Sequence, residues 1–250
     1  MEDNDNIYVR QDSLSIRQQQ KVAVIGCGGI GSWIALYLGL AGVKRIDIYD
    51  SDIISESNLN RFPLGKDKIG INKAVAMTEH IQSLRDGVEV TPRGNFDPDL
   101  HGDKLRGYNW VVVTTDSLKS RRMVYEKVVA AGKAEGKWIG YIECGADGHH
   151  ATVTFSPAEF ATSEEDEPGY QTVPVHVCPC ILVASLACYY VLLGRPGNPI
   201  ALNKTVKTDW DGDCVQIKEL LDDETLGTIP EIGDSLVDQS DVYEHEEESL

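Results

Sequence analysis

Residues 21–31, KVAVIGCGGIG, join a short apolar segment to a glycine-rich turn. The first six of these residues are rich in β-branched side chains, which is typical of a buried parallel strand. Residues 32–41, SWIALYLGLA, then predict a helix, and residues 44–50, KRIDIYD, predict a second strand. The order of strand, glycine turn, helix and strand is that of a βαβ unit.

The rest of the chain continues this alternation. Further helices are expected at 72–84, 118–132 and 181–193, and further strands at 88–92, 110–114, 138–143, 152–155 (an antiparallel edge strand), 205–208 and 214–218. The alternation predicts an α/β fold with a Rossmann-like, doubly wound, mostly parallel sheet. We divide the chain into an N-terminal arm (1–20), a main domain (21–203) and an acidic C-terminal extension (204–250).

The negative charge is concentrated at the C-terminus. The chain has 40 acidic and 23 basic residues, and residues 219–250 hold twelve of the acids and none of the bases. Such a tail repels polyphosphate backbones, so we do not expect nucleic acid as a partner. We interpret the tail as a solvated end, with a docking segment for a basic partner as the alternative.

The N-terminus and the cysteines indicate a cytoplasmic protein. The first 20 residues have neither a basic start nor an apolar stretch, so no secretory signal is predicted, and the absence of an 18-residue apolar run predicts no membrane span. The six cysteines match no disulfide framework, and we expect them to be reduced.

The glycine turn predicts a nucleotide site. Gly26, Gly28 and Gly31 form a G-x-G-x-x-G pattern that also contains Gly29 and Ile30. Glycines allow a tight turn and bring backbone N–H groups close to a polyphosphate at the start of the following helix. Asp50 ends the second predicted strand and is placed to accept hydrogen bonds from ribose hydroxyls, which a turn without a ligand would not explain. By itself this pattern favours NAD.

The polar residues after Asp50 form an ordered set. Asp52 is followed by SNLNR at 57–61, by IGINKA at 69–74 and by TTDS at 114–117. Together with the glycine turn, these motifs resemble the ThiF/MoeB/HesA superfamily, whose members include the ubiquitin-activating enzymes. The resemblance covers about residues 21–125, and the main domain would then be a ThiF-like adenylation domain.

The resemblance implies an ATP-dependent adenylyltransferase, which joins a carboxylate to AMP as an acyl-adenylate and releases pyrophosphate. Neutralising and aligning the phosphates is the chemistry that this step requires, because no protein nucleophile takes part in it. The residues implied are Asp50 for the ribose, Asp52, Asn58, Arg61 and Lys73 for the nucleotide and its phosphates, and Asp116 for Mg²⁺, with Arg61, Lys73 and Asp116 as the catalytic set. A lone Arg or Lys is ordinarily a solvated charge, so these roles depend on the whole ordered set.

Two departures from the family pattern concern residue 62 and the cysteines. Phe62 follows Arg61 where the family usually has Gln, and the chain has no C-x-x-C pair, so we do not expect a four-cysteine zinc site. Cys180 and Cys178 precede a predicted helix, whose N-terminus lowers thiol pKa values, so they are candidate nucleophiles for a thioester step. The alternative is that they are small buried residues.

The resemblance also implies partners. One is a second copy of the chain in a homodimer, in which Arg10 or Arg17 is a candidate to reach the other subunit's ATP. The other is the substrate, which is a ubiquitin-like protein, a sulfur-carrier protein or a peptide, with a tRNA base as a lesser alternative. The loop at 161–174 is expected to contact substrate, and His149 and His150 are interpreted as loop residues near the site. Two other functions stay open: an NAD-dependent oxidoreductase, which leaves Arg61 and Lys73 unexplained, and a catalytically silent partner subunit.

Overall fold

The computed structural model describes residues 7–136, 139–155, 174–194, 204–210 and 215–221. Its strands are β1 (Lys21–Ile25), β2 (Arg45–Tyr49), β3 (Glu89–Arg93), β4 (Trp110–Val113), β5 (Gly140–Asp147), β6 (His150–Phe155), β7 (Lys204–Trp210) and β8 (Val215–Leu221). They form one sheet in the order β3-β2-β1-β4-β5-β6-β7-β8. The five strands β3, β2, β1, β4 and β5 are parallel to one another, whereas β6, β7 and β8 are antiparallel to their neighbours. This architecture confirms the predicted Rossmann-like α/β fold.

One strand prediction is wrong. Residues 152–155 were expected to form an edge strand, but β6 lies inside the sheet because β7 pairs with it along Ala151–Phe155. The strands β7 and β8 therefore extend the same sheet beyond residue 203, where we predicted the main domain to end.

Among the described residues, five α-helices flank the sheet. They are α1 (Gly31–Leu40), α2 (Lys73–Leu84), α3 (Pro98–His101), α4 (Leu118–Glu135) and α5 (Val177–Leu193). One buried cluster joins β-strand residues such as Val24 to Ile34, Met77 and Val183 on α1, α2 and α5, and another joins Val113 to residues of α4 on the opposite face. Alternate residues of each central strand thus enter opposite layers of the core.

The start of α5 differs from the prediction. The helix begins at Val177, four residues before the predicted start, because the His176 side chain caps it by accepting the N–H of Cys178. Cys178 and Cys180 consequently lie inside the first helical turn rather than before the helix.

Residues 7–20 of the N-terminal arm pack at the amino edge of the sheet. The side-chain amides of Gln11 and Gln18 donate to the carbonyl of Ala41, just after α1, and that of Gln20 donates to the carbonyl of Val191 near the end of α5. The arm therefore covers the helix ends opposite the carboxyl edge. Within the described ranges, no helix has the length and apolarity needed to cross a bilayer.

Candidate functional site

The glycine turn lies at the carboxyl edge, where the strand order reverses between β1 and β4. Ligands of open α/β sheets bind at such a switch point. Gly26 has a φ of +94° and donates its N–H to the carbonyl of Tyr49 at 2.9 Å. A Cβ on Gly31 would lie 2.0 Å from the Gly26 oxygen, so α1 packs directly on the turn. A Cβ on Gly28 would meet nothing within 4 Å, so this part of the turn faces open space.

Asp50 is fixed by two backbone donors. Cys27 N–H donates to its Oδ2 at 2.6 Å, and Asp52 N–H donates to its Oδ1 at 2.7 Å. Burial raises the pKa of the Asp50 carboxyl, and the two hydrogen bonds and the charge of Lys73 oppose part of that rise. The side chain thus ties the loop after β2 to the glycine turn.

Lys73 and Asp52 form an ion pair beside this loop. Lys73, the first residue of α2, is 8% exposed, and its Nζ lies 2.9 Å from Oδ2 of Asp52. Asn72 holds the same loop, because its Nδ2 donates to the carbonyls of Asp50 and Asp52 while its Oδ1 caps α2. We assigned no role to Asn72 from the sequence, although an Asn directly before a helix is a typical N-cap.

Arg61 lies over the glycine turn. A Cβ on Gly29 would lie 2.8 Å from Cδ of Arg61, and the Nη1 of Arg61 donates to the Ser57 carbonyl at 3.0 Å and to Oδ1 of Asn60 at 2.8 Å. Asn58 accepts the N–H of Ser55 through its Oδ1 at 3.0 Å. Its oxygen thus holds the local turn and orients the amide nitrogen, which is the donor that a phosphate requires.

A cavity of about 200 Å³ opens at the switch point, between the glycine turn, the loop after β2 and the turn after β4. It is lined by Ile25, Gly26, Tyr49, Asp50, Ser51, Asp52, Asn95, Phe96, Pro98, Thr115, Ser120, Met123 and Val124. Oγ1 of Thr115 is buried and has no hydrogen-bond partner among the described residues.

Asn95, Phe96 and Met123 were missed from the sequence. They lie in the segment after β3 and on α4, where no motif marks them.

Asp116 lies on the other side of the switch point from Asp50. It is exposed in the turn after β4 and directly follows Thr115, which lines the cavity. Across the described residues, no group of three or more His, Cys, Asp or Glu side chains is arranged to hold a metal ion. Mg²⁺ in phosphate sites is held by one or two carboxylates together with substrate phosphates, so the single carboxylate of Asp116 fits this kind of ion.

Arg121 joins the turn that follows β4 to strand β5. Its Nε donates to the Thr115 carbonyl at 2.6 Å, and its Nη2 donates to the Cys144 carbonyl at 3.0 Å. Burial raises the pKa of the nearby Glu143 carboxyl, and the Arg121 charge opposes that rise. We assigned no role to Arg121 from the sequence. Its contacts show that it supports the cavity wall.

The two candidate cysteines differ in their surroundings. Cys178 is exposed, whereas Cys180 is buried, and burial raises the pKa of the Cys180 thiol to about 11 although the Arg61 charge opposes the rise. The expected lowering of this pKa by the helix N-terminus is therefore wrong for Cys180, because loss of solvation outweighs it. Near the same helix end, Nδ1 of His149 lies 3.1 Å from Nε2 of His176.

Arg10 and Arg17 lie at the amino edge of the sheet, whereas the cavity of their own chain lies at the carboxyl edge. Arg17 N–H donates to the carbonyl of Leu192 at the amino edge, and Arg10 precedes Gln11, which contacts Ala41 at the same edge. A role for either residue in another subunit stays a prediction. Residues 161–173 of the predicted substrate loop lie outside the described residues.

The chain has curated relatives of greater length. It is 32% identical over 114 residues to the adenylyltransferase and sulfurtransferase MOCS3 of Xenopus laevis, which covers 45% of this chain and 25% of that protein. It is 38% identical over 105 residues to the NEDD8-activating enzyme E1 catalytic subunit of Dictyostelium discoideum, which covers 42% of this chain and 24% of that protein. The aligned part is thus about a quarter of each relative.

Solved structures share the fold. The crystal structure of E. coli MccB with AMPCPP and MccA superposes with a TM-score of 0.68 at 22% identity, over 86% of this chain and 72% of that one. Residues 6–191 match the model of the ThiF family. Since this match spans most of the chain and includes every motif that forms the cavity edge, the chain belongs to the ThiF family.

Proposed function

We propose that this chain is an ATP-dependent adenylyltransferase, which activates a carboxylate as an acyl-adenylate and releases pyrophosphate. The observation that carries the proposal is the cavity at the switch point, which has the carboxylates of Asp50 and Asp52 in its lining and the cation Lys73 paired with Asp52. The adenylyltransferase MOCS3 and the NEDD8-activating enzyme among the relatives support the same class of reaction.

The cavity has an apolar side and an acidic side. Phe96, Met123 and Val124 form a slot suited to a nucleobase, and Asp50 and Asp52 lie on the side of the glycine turn. Each carboxylate oxygen has two lone pairs, so Asp50 retains acceptor capacity for ribose hydroxyls after accepting its two backbone N–H groups. We place the base in the slot and the ribose at Asp50.

The phosphates then extend over the glycine turn. There the open side of Gly28 and the start of α1 provide backbone N–H groups and the positive end of a helix dipole. Lys73 has three N–H donors, so it can keep its contact with Asp52 and also bind a phosphate oxygen. Arg61, held over Gly29, provides a second positive charge, and the amide of Asn58 provides a neutral donor.

Asp116 would hold Mg²⁺ in this arrangement. When bound, the ion supplies charge neutralisation on the phosphates. The chain's own groups, Lys73 and Arg61, stabilise the negative charge that builds up as the substrate carboxylate oxygen bonds to the α-phosphorus and the bond to pyrophosphate breaks. The walls of the cavity keep the nucleotide aligned for this in-line attack.

The substrate that we propose is the C-terminal carboxylate of a ubiquitin-like protein, a sulfur-carrier protein or a peptide. The NEDD8-activating enzyme and the sulfurtransferase MOCS3 among the relatives support this class. The structure of MccB together with AMPCPP and MccA is consistent with it. We also propose a cytoplasmic homodimer as the working form.

Calorimetric titration tests which nucleotide the chain binds. The wild-type chain is titrated with ATP plus Mg²⁺ and, separately, with NAD, and Arg45→Ala at the exposed amino end of β2 serves as the control variant. We expect ATP to bind and NAD not to bind, with Arg45→Ala equal to wild type. Binding of NAD alone would indicate an oxidoreductase, and binding of neither would indicate a silent subunit.

Pyrophosphate exchange tests the reaction. Labelled pyrophosphate and ATP are incubated with the chain and a panel of ubiquitin-like proteins, sulfur-carrier proteins and short peptides. We expect exchange that depends on a free C-terminal carboxylate in one class of the panel and is lost when that carboxylate is amidated. Exchange that is unchanged by amidation would contradict activation of a C-terminus.

A further inference from the structure

A buried chain of hydroxyl groups ends at the wall of the nucleotide cavity. The Tyr49 hydroxyl lies 3.1 Å from the Tyr108 hydroxyl, and the Tyr108 hydroxyl donates to Oδ2 of Asp47. All three side chains are nearly inaccessible to solvent, with exposures of 3%, 2% and 4% in that order. None of them belongs to a motif of the predicted site. We call Asp47, Tyr108 and Tyr49 the hydroxyl column.

The column has a fixed direction. Because the Asp47 carboxylate can only accept, Tyr108 donates to it, and the Tyr108 oxygen is then free to accept from Tyr49. The charge of Asp47 is balanced by Lys21, whose Nζ lies 3.5 Å away, and by Arg93, whose Nη2 lies 3.4 Å away. The carboxylate is thus anchored at one end, and the last hydroxyl of the column belongs to a residue of the cavity.

Tyr49 contacts two parts of the nucleotide site. Its backbone carbonyl accepts the N–H of Gly26, which starts the glycine turn. Its ring packs edge-on against Phe96, with 5.1 Å between the ring centroids, and both rings line the cavity. Holding the Tyr49 side chain therefore sets the distance between the glycine turn and the opposite wall.

We infer that Asp47 and Tyr108 are positioning residues for ATP, which act through Tyr49 without touching the nucleotide. This inference rests on the proposed function. Removing the Tyr108 hydroxyl leaves its ring in the core but takes away the acceptor for Tyr49. The Tyr49 ring then loses its fixed orientation, and the cavity binds ATP less tightly.

Tyr108→Phe tests the inference by calorimetric titration with ATP plus Mg²⁺, at a temperature at which circular dichroism shows the variant to be folded. We expect the dissociation constant for ATP to rise about fivefold, the effect of one buried hydrogen bond. Tyr125→Phe is the matched control, because Tyr125 is a half-buried tyrosine that packs against the same core cluster and is not part of the cavity lining, and it should bind ATP as wild type does.

A double-mutant cycle separates positioning from general stability. If Tyr108 acts through Tyr49, then the double variant Tyr49→Phe with Tyr108→Phe should weaken ATP binding no more than the single variant that has the larger effect. Asp47→Leu, which removes the acceptor for the Tyr108 hydroxyl, provides a second way to break the column if Tyr108→Phe does not fold, and it should weaken ATP binding by a similar factor.

The outcomes are distinguishable. A lower melting temperature with ATP affinity within twofold of wild type in Tyr108→Phe and Asp47→Leu would overturn the positioning role and leave the proposed function intact. Failure of the wild-type chain itself to bind ATP would overturn both. Additive losses in the double variant would show that Tyr108 acts by a route other than Tyr49, which also contradicts the inference.

Discussion

The two halves of the carboxyl edge are built differently. Around β1, β2 and α2, the charged groups are held in place: Asp50 accepts two backbone N–H groups, and buried Lys73 is paired with Asp52. Around β4, β5 and α5, Asp116 and Cys178 are exposed to solvent. We propose that the first half is organised for the phosphates before a ligand binds. We expect the second half to receive the metal ion and the substrate.

The largest effect is expected within the first half, at Gly31. In Gly31→Ala the new methyl group would lie 2.0 Å from the Gly26 carbonyl oxygen, so α1 must shift away from the turn. We expect the free energy of unfolding to fall by about 3 kcal/mol, as in overpacked cores. Chemical denaturation monitored by circular dichroism measures it.

Gly28→Ala is the matched control, because its methyl group meets nothing within 4 Å. It should leave the free energy of unfolding within about 0.5 kcal/mol of wild type. Equal destabilisation by both variants would contradict the close contact of α1 with the turn.

The next effect is expected at Lys73. Lys73→Met keeps the buried methylene chain and removes the ammonium group, so one charged partner of the phosphates is lost. We expect ATP to bind about 30-fold more weakly, since a hydrogen bond to a charged group contributes about 2 kcal/mol. Titration calorimetry measures this change.

Lys68→Met provides the comparison for that titration. Lys68 is paired with Glu79 at 3.5 Å, and it is outside the cavity lining. The Lys68→Met variant should bind ATP with the same affinity as wild type. A loss of similar size in both variants would mean that the general positive charge of the region, and not the position of Lys73, attracts the nucleotide.

In the second half, we expect Arg121 to act mainly on stability. Arg121→Gln loses the hydrogen bonds to the carbonyls of Thr115 and Cys144, which should lower the free energy of unfolding by about 2 kcal/mol. Its neighbour Arg122 forms an exposed pair with Glu126, so Arg122→Gln should change stability by less than about 0.5 kcal/mol. Similar unfolding curves for the two variants would contradict the supporting role of Arg121.

The smallest effect concerns the two cysteines of α5. With a pKa of about 11, only about one Cys180 thiol in a thousand is ionised at pH 8, and the fraction rises as the pH rises towards that pKa. Exposed Cys178 should therefore be alkylated by iodoacetamide first at pH 8, and labelling of Cys180 should increase steeply above pH 9. Mass spectrometry of the two modified positions gives the order. Faster labelling of Cys180 at pH 8 would restore it as the leading candidate nucleophile.

The same contrast explains what the sequence could predict. The contacts of Gly26, Gly31, Asp50 and Lys73 arise within one βαβ unit and the start of the next helix, so short motifs of residue types specify them. The strand and helix alternation likewise predicted the parallel part of the sheet.

Other features depend on distant chain segments. Phe96 and Met123 line the cavity, but their apolar side chains cannot be told from core residues until β3 is paired with β2 and α4 is packed against the sheet. The role of Arg121 depends on where the Cys144 carbonyl lies, and the burial of Cys180 depends on how α5 packs. The position of β6 inside the sheet required the pairing with β7, for which the sequence pattern was weak.

Photolabelling with 8-azido-ATP tests the central claim most directly, since it locates the nucleotide on the chain. We predict that the label attaches to peptides that contain residues 95–98 or 120–124, and that excess ATP prevents labelling whereas excess NAD does not. Labelling confined to other parts of the chain, or prevented equally by NAD, would contradict an ATP site at the switch point between β1 and β4.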